Sequence, residues 1–145
     1  MERTLSFEVL PKLHEAVKSQ GLAEAVAEHL EQTKEHGPRL DHVFRALGAE
    51  PSSNLDRALE SLAAQHDELS GSFPDDRLAD VYHASAGART ERNELAMYDA
   101  LLTLGDALDL GDARALLEQN RAEEEQALER LNGELRRLAR DLRSP

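Results

Sequence analysis

Polar side chains sit where leucine would be expected in this 145-residue chain, and they are the residues whose chemistry matters. His29, Thr33 and His36 recur at helical spacing along one apolar stripe. Glu91 interrupts a second, with Glu94 one turn on, and Asn120 and Glu124 interrupt a third. An α-helix rises about 1.5 Å per residue, so heights can be compared. His36 lies about 14 residues into its helix, Glu91 about 15 into a parallel one, and Glu94 and Glu124 about 14 and 16 from a shared turn. All therefore fall in one layer. Carboxylates and imidazoles at one level of facing helices can hold iron, manganese or zinc. Without metal, such a layer must pair internally or protonate. Glu91 beside Arg92, or Glu124 within Glu123-Glu124-Glu125, also fits a solvated face, and a stripe histidine fits a hydrogen-bonded core residue.

The stripes require long helices. The first runs from near the start to about Ser19 on Leu5, Val9, Leu13 and Ala16. Pro11 should kink it or fray its first turn, and Gly21 closes it. The second runs from about Leu22 to Leu47, with a kink expected at Gly37-Pro38. After a linker comes a shorter helix, with Ser53 or Asn54 as cap and Leu55, Leu59, Leu62 and Leu69 as its apolar side. The third begins after Pro74, capped by Asp75 or Asp76, and reaches about Leu104. The fourth spans about Asp112 to Leu142. Tight turns join the first helix to the second and the third to the fourth, and the long middle connection makes the second and third parallel. The expected fold is all-α, a ferritin-like four-helix bundle with a short extra helix in the crossover, one domain over residues 1–145.

Composition removes other chemistries. There is no cysteine, hence no disulfide, thiolate metal site or cysteine nucleophile. The net charge of −12 repels phosphate backbones and anionic membranes, and 3% aromatics leave no platform for stacking bases, so no nucleic acid and no membrane are expected as partners. Arg136, Arg137, Arg140 and Arg143 suit a helix C-terminus. No apolar run approaches the roughly 18 residues of a membrane span, and the N-terminus lacks signal-peptide features, so a cytoplasmic location is expected. His66 and His83 have no in-register partners and read as surface or boundary residues.

The segments LPKLHEAVKSQGLAEAVAEHLEQTKEH, RLDHVFRALG and TERNELAMYDALLTLGDALDLGDARALLEQNRAEEEQALERL resemble the YciF-like family of ferritin-like bacterial proteins. The resemblance spans nearly the whole chain, with EHLEQTKEH and the ERNELAMY to AEEEQALERL block as its anchors. It implies a small four-helix dimer linked to stress responses, with a di-metal centre suggested by the fold. This chain departs from the family pattern. Gln32 stands for a glutamate, Ala88 for a glutamine, Arg92 for a histidine and Leu128 for an acidic residue. The first-helix glutamate falls near Glu2 or Arg3, at a fraying terminus, as if the chain begins one or two turns late.

The ligand set that remains is His36, Glu91, Glu94 and Glu124, with Glu2 less secure. A two-metal site of this type uses four carboxylates and two histidines, so these residues suit one iron, manganese or zinc ion, or none, and an intact di-iron centre is not expected. The reading is a degenerate, non-enzymatic stress-associated bundle with no catalytic residues, acting by dimerisation or by binding a protein partner. The alternative is an iron- or manganese-binding protein with redox or metal-handling activity. Leu10, Phe44, Leu59, Leu62, Leu101 and Leu116 are in excess of one narrow stripe and are expected to line a homodimer interface.

Overall fold

The computed structural model describes residues 1–51 and 57–143. Every regular element among them is helical. A first rod is built from α1 (Glu2–Thr4), a π-helical turn (Leu5–Val9) and α2 (Leu10–Ala16). Then follow α3 (Gln20–Ala46), α4 (Arg57–Ser70), α5 (Asp76–Leu108) and α6 (Ala113–Asp141). The expected cap at Ser53 or Asn54, and Leu55, lie outside the described residues.

Local chemistry sets these boundaries. Pro11 has no N–H, and its ring would press on the carbonyl one turn back in a regular helix. The chain widens just ahead of it, with the Leu10 N–H donating to the Leu5 carbonyl five residues earlier. The expected kink is thus resolved as one π turn. The rod stops at Ala16, short of Ser19, because Val17 turns extended. Asp80 of α5 accepts the Lys18 and Ser19 N–H groups at 3.0 and 2.6 Å, pinning that corner to the bundle. Pro38 lies inside α3, which runs through it unbroken. Asp75 caps α5 by accepting the Leu78 N–H at 2.9 Å. α5 continues past Leu104 to Leu108, because Gly105 stays helical under Leu110, whose Cδ1 sits 2.9 Å from where a Cβ would be. Asp109 at φ 50° and Gly111 at φ 54° then reverse the chain.

Two apolar clusters hold the rods together. The larger gathers Leu5, Leu13, Val26, Ala84, Leu131 and Leu138 among others, and the smaller gathers Val43, Tyr98, Ala113 and Leu117. Fully burying each Leu or Val is worth about 1.5–3 kcal/mol. α3 passes from the larger to the smaller, Val26 to Val43, as does α5 from Ala84 to Tyr98, so the two are parallel. α6 passes the other way, Leu117 to Leu131. Arg3 pairs with Asp41 near the far end of α3, which sets the first rod antiparallel to it. Two hairpins joined by one crossover is the ferritin-like connectivity. No helix among the described residues is long and apolar enough to cross a membrane.

The apolar excess lies elsewhere than expected. Leu10 and Leu59 are buried in the larger cluster, since the first rod and α4 both lean into it. Phe44, Leu62 and Leu116 are half-buried, and of the six only Leu101 is exposed. The outward stripe is Met97, Leu101, Leu104 and Leu108, at helical spacing along α5.

Candidate metal centre

Between the two apolar clusters each rod contributes polar side chains to one layer. α1 brings Glu2, α3 brings His29, Thr33 and His36, α5 brings Glu91 and Glu94, and α6 brings Asn120 and Glu124, all buried. Two groups of ligand atoms form there, each within 4.8 Å across: His29, Glu91, Glu94 and Glu124, and Glu2, His36 and Glu124. Glu124 belongs to both. The sequence-derived ligands therefore divide, with Glu91 and Glu94 on one side of Glu124 and His36 on the other. The terminal position of Glu2 does not expose it, for it is 6% accessible. His29 completes the set.

His29 Nε2 lies 3.2 Å from Glu91 Oε2 and 3.5 Å from Glu124 Oε2. His36 Nδ1 lies 3.3 Å from Glu2 Oε2 and 2.9 Å from Glu124 Oε1. The opposite edge of His36, Nε2, meets Glu123 at 2.9 Å, and Arg39 Nη1 donates to the same carboxylate at 2.7 Å. This outer pair orients the imidazole, as partners behind metal-binding histidines do. Tyr98 donates to Glu2 and accepts from Asn120 Nδ2 at 2.9 Å, which holds Glu2 inward. Thr33 Oγ1 spends its proton on the His29 carbonyl at 2.8 Å.

A family model described as "Domain of unknown function (DUF892)" matches residues 1–142.

The chain belongs to the DUF892 family.

Protein YciF of Escherichia coli K12 is 30% identical over 119 residues, spanning 79% of this chain and 70% of that protein. The crystal structure of the E. coli stress protein YciF superposes with a TM-score of 0.90 at 26% identity, covering 96% of this chain and 87% of that one. YcfI from Rhodopseudomonas palustris gives 0.85 at 30% identity, covering 90% and 83%. Where this DUF892 chain departs from the expected pattern, Ala88 and Leu128 join the larger apolar cluster, and Arg92 is exposed and donates to Asn132.

The electrostatics follow from burial. Loss of water, then the neighbouring Glu124, holds both Glu91 and Glu94 well above the ordinary carboxylate range. Burial opposes charge on His36 too, but the carboxylates of Glu124 and Glu2 outweigh it and push the ring up to about 10. Burial lowers His29 despite Glu124. For Glu124 burial is outweighed by His36 and Glu91, which hold it low. Six atoms of this layer remain buried with no hydrogen-bond partner: His29 Nδ1, Glu91 Oε2, and both carboxylate oxygens of Glu94 and of Glu124. Of these, Glu124 Oε1 still lies 2.9 Å from His36 Nδ1 and Glu91 Oε2 3.2 Å from His29 Nε2, so the oxygens with no polar neighbour of this kind are the two of Glu94. Unspent lone pairs on buried hard oxygens suit a divalent cation.

His66 is a half-buried boundary residue as expected, but His83 is buried, and the two are partners. His83 is buried and meets His66 Nε2 at 2.8 Å, where α4 packs on α5. The expected separation failed because α4 folds back within the crossover, which spacing along one helix cannot reveal.

Proposed function

We propose that this DUF892 bundle is a metal-handling protein that holds two divalent cations, iron or manganese, in place of the single ion that the sequence count suits. The carrying observation is the pair of ligand groups sharing Glu124, with both oxygens of the buried Glu94 bonding to nothing else. His29, Glu91, Glu94 and Glu124 would hold one ion, and Glu2, His36 and Glu124 the other. Four ionised carboxylates and two neutral imidazoles balance two divalent charges and match the four-carboxylate, two-histidine donor set of ferritin-like carboxylate bundles. Such ions supply Lewis-acid and one-electron redox chemistry when bound. The chain's own part is to strip water, to set the His36 imidazole through Glu123, and to release the protons of Glu91 and Glu94 on loading. A role in stress is proposed from the likeness to the E. coli stress protein.

The test is elemental analysis of protein purified without chelator or added metal, with thermal unfolding of wild type and Glu91→Leu, each with and without EDTA. The expected result is close to two equivalents of iron or manganese, a wild-type midpoint that drops several degrees in EDTA, and a mutant that responds far less. A second reading, a metal-free bundle acting through a partner, is favoured by the direct contacts of His29 with Glu91 and of His36 with Glu124, which let the layer neutralise itself. Absence of metal together with no EDTA response would establish that reading. Apo Glu91→Leu would then be as stable as wild type or more so, as apolar replacement of buried ionic groups often gives.

We further propose a homodimer. Met97, Leu101, Leu104 and Leu108 form an exposed apolar stripe that a two-fold axis could pair with its own copy.

A further inference from the structure

A second cluster of titratable rings lies where α4 packs on α5. His66 Nε2 of α4 and His83 Nδ1 of α5 are 2.8 Å apart, with ring centres 4.9 Å apart. His83 is buried and His66 half-buried. The Tyr82 ring stacks on His66 at 5.5 Å, and Phe73 meets Tyr82 at 4.9 Å. A zinc ion needs about 2.0–2.1 Å to each imidazole nitrogen, so two nitrogens facing each other at this distance leave no room for one between them. Among the described residues no third side chain completes a ligand group with the pair. The contact is an N–H···N hydrogen bond, and it requires one bare nitrogen.

Counting protons shows what the pair tolerates. One added proton can go to His66 Nδ1, which faces Asp67 Oδ1 at 3.7 Å, and the bond survives. With a second, both bonded nitrogens carry hydrogen and two cationic rings meet. The surrounding charges do little to relieve this. Asp80, one turn before His83, has both oxygens taken by the Lys18 and Ser19 N–H groups. Glu8 and Lys12 of the first rod, with Glu60 of α4, share a groove with His66 and include both signs. Arg89 of α5 donates to Gln65, and Tyr82 Oη bonds to nothing. His29 and Glu91 face an inner cavity in common with His66 but pair with each other. Burial, then His66, holds His83 below the ordinary 6.5, and Asp80 offsets them only in part.

We propose that the His66–His83 contact is an acid-operated latch that holds the C-terminal half of α4 on α5 and lets it go when both rings are charged. The geometry suits a latch. Leu59 anchors the start of α4 in the larger cluster, whereas beyond it the printed ties to α5 are the exposed Arg89–Gln65 hydrogen bond and the rings around His66. A groove of about 290 Å³ already separates this half of α4 from the first rod, so it has room to move. Release uncovers the apolar wall of Leu10, Leu13 and Leu131 that α4 faces. Docked α4 binds fewer protons than released α4. Its hold is therefore complete above 6.5 and fades as pH falls below that value.

The test is amide hydrogen exchange of the full chain as purified, read as protection factors so that the slower intrinsic exchange in acid cancels. Between pH 7.5 and 5 the amides of α4 beyond Ala64 should lose about fivefold or more of their protection. Those of α3, α5 and α6 should keep theirs. An NMR titration of the His83 ring should show the same midpoint as the loss in α4. In His83→Gln and His66→Gln, which keep a polar partner but cannot place two charges face to face, the protection of α4 should no longer depend on pH. Circular dichroism confirms that each variant is folded, and the coincidence of midpoints in wild type decides alone if neither is. Unchanged protection of α4 in wild type would overturn the inference. So would a midpoint apart from that of His83, or a loss that spreads to α3, α5 and α6 together. An equal loss in folded His83→Gln would place the acid response elsewhere, in the polar layer, and sink the latch.

Discussion

Glu124 serves both ligand groups, so its loss should differ in kind from the loss of its neighbours. Glu124→Gln is expected to bring metal content from about two equivalents to well below one, whereas Glu94→Gln leaves Glu2, His36 and Glu124 intact and should retain about one. Elemental analysis of the two variants side by side checks this, and equal losses would contradict the shared role. A titration argument belongs to the same residues. In chelated protein Glu91, Glu94 and His36 all have folded pKa values above their ordinary 4.5 and 6.5. The folded state then binds more protons than the unfolded one. The stability these groups confer is complete below their ordinary values and is lost as pH climbs through the folded ones. His29 runs oppositely, since its pKa is lowered, and its contribution is lost as pH falls below 6.5. Between pH 7 and 10 His36 titrates in this way, while His29 is already neutral in both states. The Tm in EDTA should therefore decline across that window, measured by calorimetry, and a rising Tm would refute the assignment. The heights of His36, Glu91, Glu94 and Glu124 were legible because a helix is a ruler. Glu2 was legible only as a less secure candidate, because a terminus is expected to fray, and its contacts with Tyr98 and His36 hold it inward. Glu123 escaped notice because neighbouring carboxylates on one helix fan to different sides, and spacing does not say which reaches His36.

At the scale of the elements, two prolines invited the same expectation and met different fates. Pro11 sits at the start of α2, where a π turn can form ahead of it, while Pro38 is carried inside α3. Local sequence marked both places, and the surrounding packing chose the outcome. Glycines give a cleaner test of helix energetics. A Cβ at Gly133, inside α6, meets nothing within 4 Å, whereas one at Gly87 comes 3.1 Å from Cδ1 of the buried Leu131. Gly133→Ala should stabilise the protein by about 1 kcal/mol, raising Tm by roughly 2–4 °C in scanning calorimetry. Gly87→Ala should forfeit that gain against Leu131, and an equal rise in both would show that the contact yields freely. The crossover was legible as a length and a short helix. That α4 buries Leu59 and brings His66 to His83 was not, since it depends on where the chain folds back.

For the whole molecule, the proposed dimer rests on the apolar stripe on α5. Light scattering at tens of micromolar should give twice the 16.1 kDa chain mass for wild type and the single mass for Leu104→Glu/Leu108→Glu. A wild-type monomer would end the dimer proposal. The bundle's connectivity was legible because loop lengths fix which helices run antiparallel, but the exposed stripe was not, because an apolar excess does not say which leucines the crossover will cover. The placing of the polar layer between a large and a small apolar cluster has a dynamic consequence. The layer is a seam across the bundle, and the two ends it separates differ in the apolar contact that keeps them closed. Cooperative opening should begin at the smaller end, around Val43, Ala113 and Leu117, with backbone amides there exchanging with solvent well before those around Val26, Ala84 and Leu131. On the two-cation reading, a hydrated ion would then enter and leave by transient local unfolding of that end. The rate of metal release would be set by the breathing of the small cluster rather than by the strength of the ligands.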